Sequence, residues 1–378
     1  MSRLPDNPFP VSGYQGPSTF CDRVEETRIL KQSLLGHRNI TLTSLRRMGK
    51  SALIHHVFQQ IRDERGAMTL YVDLLPTRSI QEFISVFATA VARSTSETSQ
   101  SGSKVWSWLK SLRPVITYDP YSGLPQVSVD VGRTEEQQAS IAGLLDTLDR
   151  MGQPVVIALD EFQQILTYPD STIESWLRSH IQRLSNITFV FSGSSQHVLA
   201  EMFQSSKRPF YGSVGFLKLN PISENEYVGF LQERMRSGGK RIDEEDVRWL
   251  LTWCRHHTWY VQTMFNRLYH HPEKAISRDV ILSDISAILN ENEPVYHTYR
   301  SMLTSAQWNL LQAIAKEDRL VHPTASAFIE RYSLSSPAAV KRGLESLLDK
   351  ELIYREFDAV GSPYLQVYDV FFSRWLMR

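Results

Sequence analysis

The chain has 378 residues, 41 basic and 41 acidic side chains, 42% hydrophobic residues and two cysteines. At roughly 100–200 residues per domain this suffices for two or three domains with ample core, and the mixed composition excludes a disordered or low-complexity chain. Zero net charge argues against a protein built to coat nucleic acid or an anionic membrane.

Cys21 and Cys254 are too few for a disulfide framework or a cysteine-rich zinc site. No signal-peptide run and no stretch near the ~20 apolar residues of a transmembrane helix is present. The expectation is a soluble cytoplasmic protein with no membrane partner.

Residues 1–20 are rich in Pro, Gly and Ser and read as an extended lead-in. A helical pattern follows over 23–33, and residues 39–43 then alternate with β-branched side chains, as a strand does. Leu53, Ile54, Val57, Phe58 and Ile61 mark one face of the next helix. A second strand is expected at 68–73 and a helix over about 80–93. After a polar stretch with Trp106 and Trp108, alternating runs at 115–119 and 126–131 flank a turn-like 120–125. They read as a hairpin insertion at about 113–131, expected to cover a sheet edge.

Thr134-Glu-Glu-Gln137 has the form of a capping box, opening a helix to about Arg150. The apolar run 154–159 suits a strand covered on both faces. A helix over about 172–184 and a strand at 187–191 complete the alternation. Strands alternating with helices predict an α/β fold with a parallel, doubly wound sheet.

Past residue 220 the pattern changes. Ser223-Glu-Asn-Glu226 has the form of a second capping box, with Ile222 and Tyr227 placed as a hydrophobic staple. Helical periodicity then runs to about residue 290. Helices at 305–315, 325–332 and 337–350 and a hairpin around 359–363 resemble a winged helix. Ser336 before Pro337 is a good N-cap and first-turn pair for the third of these helices.

Arg46-Arg47-Met48-Gly49-Lys50-Ser51-Ala52 follows the first strand and opens a helix. A phosphate-binding loop belongs there: backbone N–H groups and a helix N-terminus face the phosphates, Lys50 neutralises them, and Ser51 can hold magnesium. The full pattern asks for glycine where Ser44 stands, though its backbone can still donate. The run 155–161 is an apolar strand ending in two carboxylates. Asp160 suits the magnesium shell, and Glu161 suits polarising water for attack on a γ-phosphate. At the end of the next strand, Ser194, with Ser192 as the close alternative, is placed to sense the γ-phosphate or water. Asp73 either supports the magnesium site or caps its loop.

Phe20-Cys21-Asp22-Arg23 with Glu26, the phosphate loop, the 159–162 and 191–195 segments, Pro209-Phe-Tyr211 and Trp259-Tyr-Val-Gln262 occur in that order. With the ending Tyr368-Asp-Val-Phe-Phe372 and Trp375, they resemble the prokaryotic AAA/STAND-type ATPases related to the archaeal ATPase family, over nearly the whole chain. That resemblance implies a P-loop ATPase core over residues 1–220, an α-helical lid over 221–292 and a winged helix over 293–378. It also implies that Phe20 and Arg23 line an adenine pocket and that His257, in His256-His-Thr258, contacts nucleotide from the lid. Ser213 stands where many relatives carry an arginine, leaving Arg208, Arg178 and Arg183 as unranked substitutes for a finger-like arginine.

The expected cofactors are ATP and Mg2+. The expected function is ATP binding with slow hydrolysis, used as a nucleotide-gated switch toward a protein partner. The alternatives are an ATP-regulated DNA-binding or loading protein and a degenerate P-loop protein without turnover. DNA is the less favoured partner. From residue 301 onward nine basic and nine acidic side chains balance, which leaves little charge for phosphate contacts.

Overall fold

The computed structural model of the protein describes residues 7–97, 115–120, 123–129, 134–358 and 360–378. Trp106, Trp108, Val131 and Ala359 lie outside the described residues. The chain divides into two compact units, residues 12–222 and residues 223–378 together with 1–11. Among the described residues no helix is long and apolar enough to cross a membrane.

The first unit runs α1 (Val24–Leu35), β1 (Ile40–Thr43), α2 (Lys50–Arg65), β2 (Met68–Asp73) and α3 (Ile80–Glu97). A hairpin of β3 (Val115–Tyr118) and β4 (Pro125–Ser128) follows, then α4 (Thr134–Asp149), β5 (Val155–Asp160), α5 (Ile173–Ile181), β6 (Ile187–Gly193), α6 (Gln196–Gln204) and β7 (Gly215–Lys218). Five strands form one parallel sheet in the order β2-β5-β6-β1-β7. Helices cover both faces, so the expected doubly wound architecture is present.

Side-chain parity decides which helix layer each strand residue meets. On one face Leu42, Val156, Ala158 and Val190 pack with Leu30, Leu53, Ile54, Val57 and Phe58 from α1 and α2. On the other, Leu70, Ile157, Leu159, Phe189 and Phe191 pack with Phe83, Phe87, Leu144, Leu177 and Phe203 from α3 to α6. Fully burying one such side chain is worth about 1.5–3 kcal/mol, so α2 is firmly seated. Asp160 shares parity with Val156 and Ala158, and Ser192 with Val190. Both polar side chains therefore emerge on the face that α2 covers, at the carboxyl ends of their strands.

The hairpin does not cover a sheet edge as the sequence suggested. It forms its own two-stranded sheet, and β4 lies along α3. Thr89 Oγ1 accepts from the Val127 N–H at 2.9 Å, and Ser85 Oγ accepts from Val129 N–H at 3.3 Å. The helix hydroxyls thus supply the hydrogen bonds an edge strand would have provided.

The second unit contains α7 (Glu224–Ser237), β8 (Arg241–Ile242), α8 (Glu244–Trp253), α9 (Thr258–His270), β9 (Ala275–Ile276) and α10 (Arg278–Ser301). It continues with α11 (Ser305–Glu317), α12 (Ser326–Arg331), α13 (Pro337–Asp349), β10 (Ile353–Phe357), β11 (Pro363–Val367) and α14 (Val370–Leu376). The antiparallel β10–β11 hairpin after α11–α13 completes a winged-helix arrangement. The two-residue parallel pair β8–β9 was invisible in the helical pattern.

Ser223 stands at the N-cap of α7 but makes no side-chain cap hydrogen bond, so the second expected capping box is not formed. A complete box instead opens α11, between Thr304 and Gln307. Ser336 does cap α13, accepting from Ala339 N–H at 3.3 Å, with Pro337 in the first turn. Of the lead-in, residues 7–11 belong to this unit: Phe9 is fully buried, 5.5 Å from the Phe265 ring, and Asn7 and Asn266 exchange hydrogen bonds with the backbone.

Candidate functional site

The loop between β1 and α2 reaches its shape through left-handed backbone at Arg47 (φ 65°) and Gly49 (φ 92°). Gly49 is the N-cap of α2 and makes no side-chain cap bond. The first N–H groups of α2 are therefore left to an outside acceptor, at the positive end of the helix dipole. Ser44, at the missing-glycine position, is fully buried and donates its hydroxyl to Leu45 O at 2.8 Å. Met48 is buried, Ala52 half-buried, and Arg46 and Arg47 exposed. Arg46 Nε lies 3.4 Å from Ser194 Oγ.

Asp160 is the hub. Its Oδ1 accepts from Lys50 Nζ, from Ser192 Oγ at 2.6 Å and from the Glu161 N–H at 3.0 Å. Its Oδ2 accepts from Ser51 Oγ at 3.0 Å and from the Tyr71 hydroxyl. Lys50 and Asp160 are both buried. Burial pushes the Asp160 carboxyl up, but the Lys50 charge and the bonds from Lys50, Ser192 and Tyr71 outweigh it, lowering the pKa to about 2. Burial and the adjacent Asp160 charge push the Tyr71 hydroxyl well above its ordinary range, so it remains a donor.

Glu161 follows in left-handed backbone (φ 53°), which turns its side chain out of the strand's alternation. Its Oε2 accepts from the Ser194 N–H at 3.2 Å, from Ser194 Oγ at 2.9 Å and from the Gln163 amide, while Lys50 Nζ lies 3.6 Å from Oε1. Lys50, Ser51, Asp160, Glu161, Ser192 and Ser194 thus come together. Asp73 stands opposite Asp160 in register, but its Oδ1 caps its own loop by accepting from Leu75 N–H at 2.9 Å. Burial pushes its carboxyl up.

Arg23, left-handed at the N-cap of α1, is buried. It donates to Glu26 at 2.9 Å, to Asn220 O, and to Met48 O at 3.3 Å. It braces the phosphate loop against the segment after β7. Phe20 stacks on His56 from α2, with ring centroids 4.2 Å apart, and Tyr14 OH meets His56 Nδ1 at 2.8 Å. His257 belongs to the second unit, as the buried N-cap of α9, edge-on to Tyr260. Arg208 pairs with Glu174 at 3.4 Å. Tyr71 and Gln163 were not singled out from the sequence. For Tyr71 the available signal was an aromatic placed two residues before Asp73, on the same face of β2.

Several solved structures share this fold. The Walker-type ATPase of Pyrococcus abyssi aligns with a TM-score of 0.65 and 14% identity, covering 98% of this chain and 100% of that one. The Orc2 protein of Aeropyrum pernix, solved in ADPNP–ADP complexes, aligns at 0.60 and 14%, covering 97% and 95%. The Orc1 protein of Aeropyrum pernix, solved in complex with DNA, aligns at 0.52 and 16%, covering 98% and 96%. No curated protein sequence is similar enough to count as a match. A winged helix domain model matches residues 294–378, and a model of the ATPase domain predominantly from Archaea matches residues 20–254. That second match covers more than half of the chain, and the protein therefore belongs to this archaeal-type ATPase family.

Proposed function

We propose that the chain binds ATP with magnesium at the α2 N-terminus, hydrolyses it slowly, and uses the nucleotide state as a conformational switch toward a protein partner. The observation that carries this reading is the meeting of Lys50, Ser51 and Asp160 in one buried hydrogen-bonded cluster beneath an uncapped helix start. Lys50 is engaged by Asp160, so binding a triphosphate exchanges one anionic partner of its ammonium for another. The charge stays compensated throughout, which keeps the exchange affordable in a buried site.

The donors at Ser51 and Asp160 are a hydroxyl and a carboxylate, the hard oxygen ligands that suit magnesium, which completes its shell with phosphate oxygens and water. Bound there, magnesium would neutralise charge developing on the phosphates. Arg46, Arg47, Met48, Gly49 and Ala52 shape the phosphate cradle. Phe20, with His56, offers an aromatic wall suited to a purine. Glu161 orients the attacking water and accepts its proton, while Ser194 and Gln163 fix its carboxylate. Those bonds favour slow turnover, because the carboxylate must turn from Ser194 and Gln163 to face an attacking water.

The test pairs ATP binding with turnover in wild type and Glu161→Gln. Binding should persist in the variant while hydrolysis falls by at least about 100-fold, in the range of a lost general base. Equal turnover in the two proteins would make Glu161 a structural cap.

A further inference from the structure

The donors to Asp160 come from two sources. Lys50 and Ser51 belong to α2 and are the groups a nucleotide would recruit. Tyr71 on β2, Ser192 on β6 and the Glu161 N–H belong to the sheet. A carboxylate has about four lone-pair sites, so this carboxylate is saturated without ligand and would lose two donors when ligand arrives. On Oδ1 two sheet donors would remain. On Oδ2, the oxygen shared with Ser51, Tyr71 alone among the described donors would remain.

We infer that Tyr71 is a positioning residue for the cation-binding carboxylate, holding Asp160 Oδ2 in place once Lys50 and Ser51 turn to phosphate and magnesium. The inference rests on the nucleotide-site reading above and adds to it a residue that no phosphate-loop or strand-end motif contains. The local structure explains how Tyr71 reaches. Its register partner on β5 is Ala158, two residues short of Asp160 and on the same face. The small alanine leaves room for the phenol to lie along the strand toward Asp160. The ring is also clamped by His55 of α2, with centroids 4.5 Å apart, and packs against the α1–α2 side of the core. A rigid ring fixed at its base and bonded at its tip suits holding one oxygen in one place.

Tyr71→Phe keeps the ring and removes only the hydroxyl. Removing an outer-shell partner of a metal ligand typically costs 10–100-fold in metal affinity. Since Ser192 and the Glu161 N–H still hold Oδ1, the low end, about 10-fold, is expected. Calorimetry on the full chain, with ADP in excess EDTA and then in excess magnesium, separates the roles. The variant should match wild type in EDTA, while the factor by which magnesium tightens ADP binding falls about 10-fold. A magnesium factor equal to wild type would overturn the inference. So would a parallel loss of affinity in EDTA, which marks a packing role. If wild type binds ADP but magnesium adds nothing, the positioning role is wrong while nucleotide binding stands; if wild type binds no ADP, the site reading falls first and this inference with it.

Discussion

Lys50 shows how one side chain serves both stability and binding. Its ammonium is buried against Asp160, so removing it leaves a carboxylate that keeps hydrogen bonds but loses its counter-charge. Breaking a buried ion pair from one side costs about 3–5 kcal/mol, and the four remaining donors place Lys50→Met near about 3 kcal/mol. Chemical denaturation should show that loss, and Lys50→Met with Asp160→Asn should recover part of it, because the two sites are coupled. ATP binding, followed separately by calorimetry, should be abolished in both. Full stability of Lys50→Met alone would mean the pair contributes nothing to the fold.

Among the elements, β6 and the turn after β5 are fitted to each other through Gly193. A Cβ placed there would collide with Gln163 Oε1 and stand 2.9 Å from Leu199 Cδ1. The Gln163 amide donates to Glu161, so the absent side chain makes space for a residue that holds the carboxylate. Gly193→Ala should displace Gln163 and lower turnover more than ATP affinity, since Lys50, Ser51 and the α2 N-terminus are untouched. Steady-state kinetics beside calorimetry reads this directly. An affinity loss as large as the turnover loss would place the damage in the phosphate cradle instead. In Ser192-Gly193-Ser194-Ser195 the packing role of the glycine is not legible, because it depends on a side chain 30 residues earlier in sequence. Likewise the Ser223 box was legible and unformed, while Thr304 was formed and unremarked. Short motifs state what a backbone can accept, and the local chain path decides whether it does.

At the scale of the whole molecule, three partly buried histidines set an acid limit. Burial lowers His55, with Arg62 adding to the effect and Asp160 opposing it; burial lowers His56; and burial lowers His256 against Glu224. Each has a folded pKa below the unfolded 6.5, so its contribution is present above 6.5 and is lost as pH falls through the folded value. Glu174 and Asp73, raised by burial, have the opposite sign and add stability as pH falls toward and below their folded values. Asp160 and Asp318 are lowered and hold until stronger acid. The melting temperature should therefore begin to fall as pH drops below about 6.5, ahead of the carboxylate range. His55→Gln should flatten that slope. A melting temperature unchanged as pH drops below about 6.5 would show that the histidines titrate alike in both states.

By itself the sequence determined the parallel doubly wound class, most of its strands and helices, and the placement of Lys50 and Ser51 at a helix start and of Asp160 and Glu161 at a strand end. These are local properties: period-2 and period-3.6 patterns, and motifs read within a few residues. Strand order, which sets Tyr71 beside Asp160 across 89 residues and Ser192 beside it across 32, was decided only by the tertiary structure. The crossover that sends β2 to the edge beyond β5 leaves no periodic trace in the chain. The two-residue strands β8 and β9 are shorter than any period that could reveal them, and the seat of the β3–β4 hairpin on α3 depends on hydroxyls of a helix that pattern alone marks as merely amphipathic. Local periodicity chooses the elements; long-range pairing and the demand that buried donors find acceptors choose their neighbours.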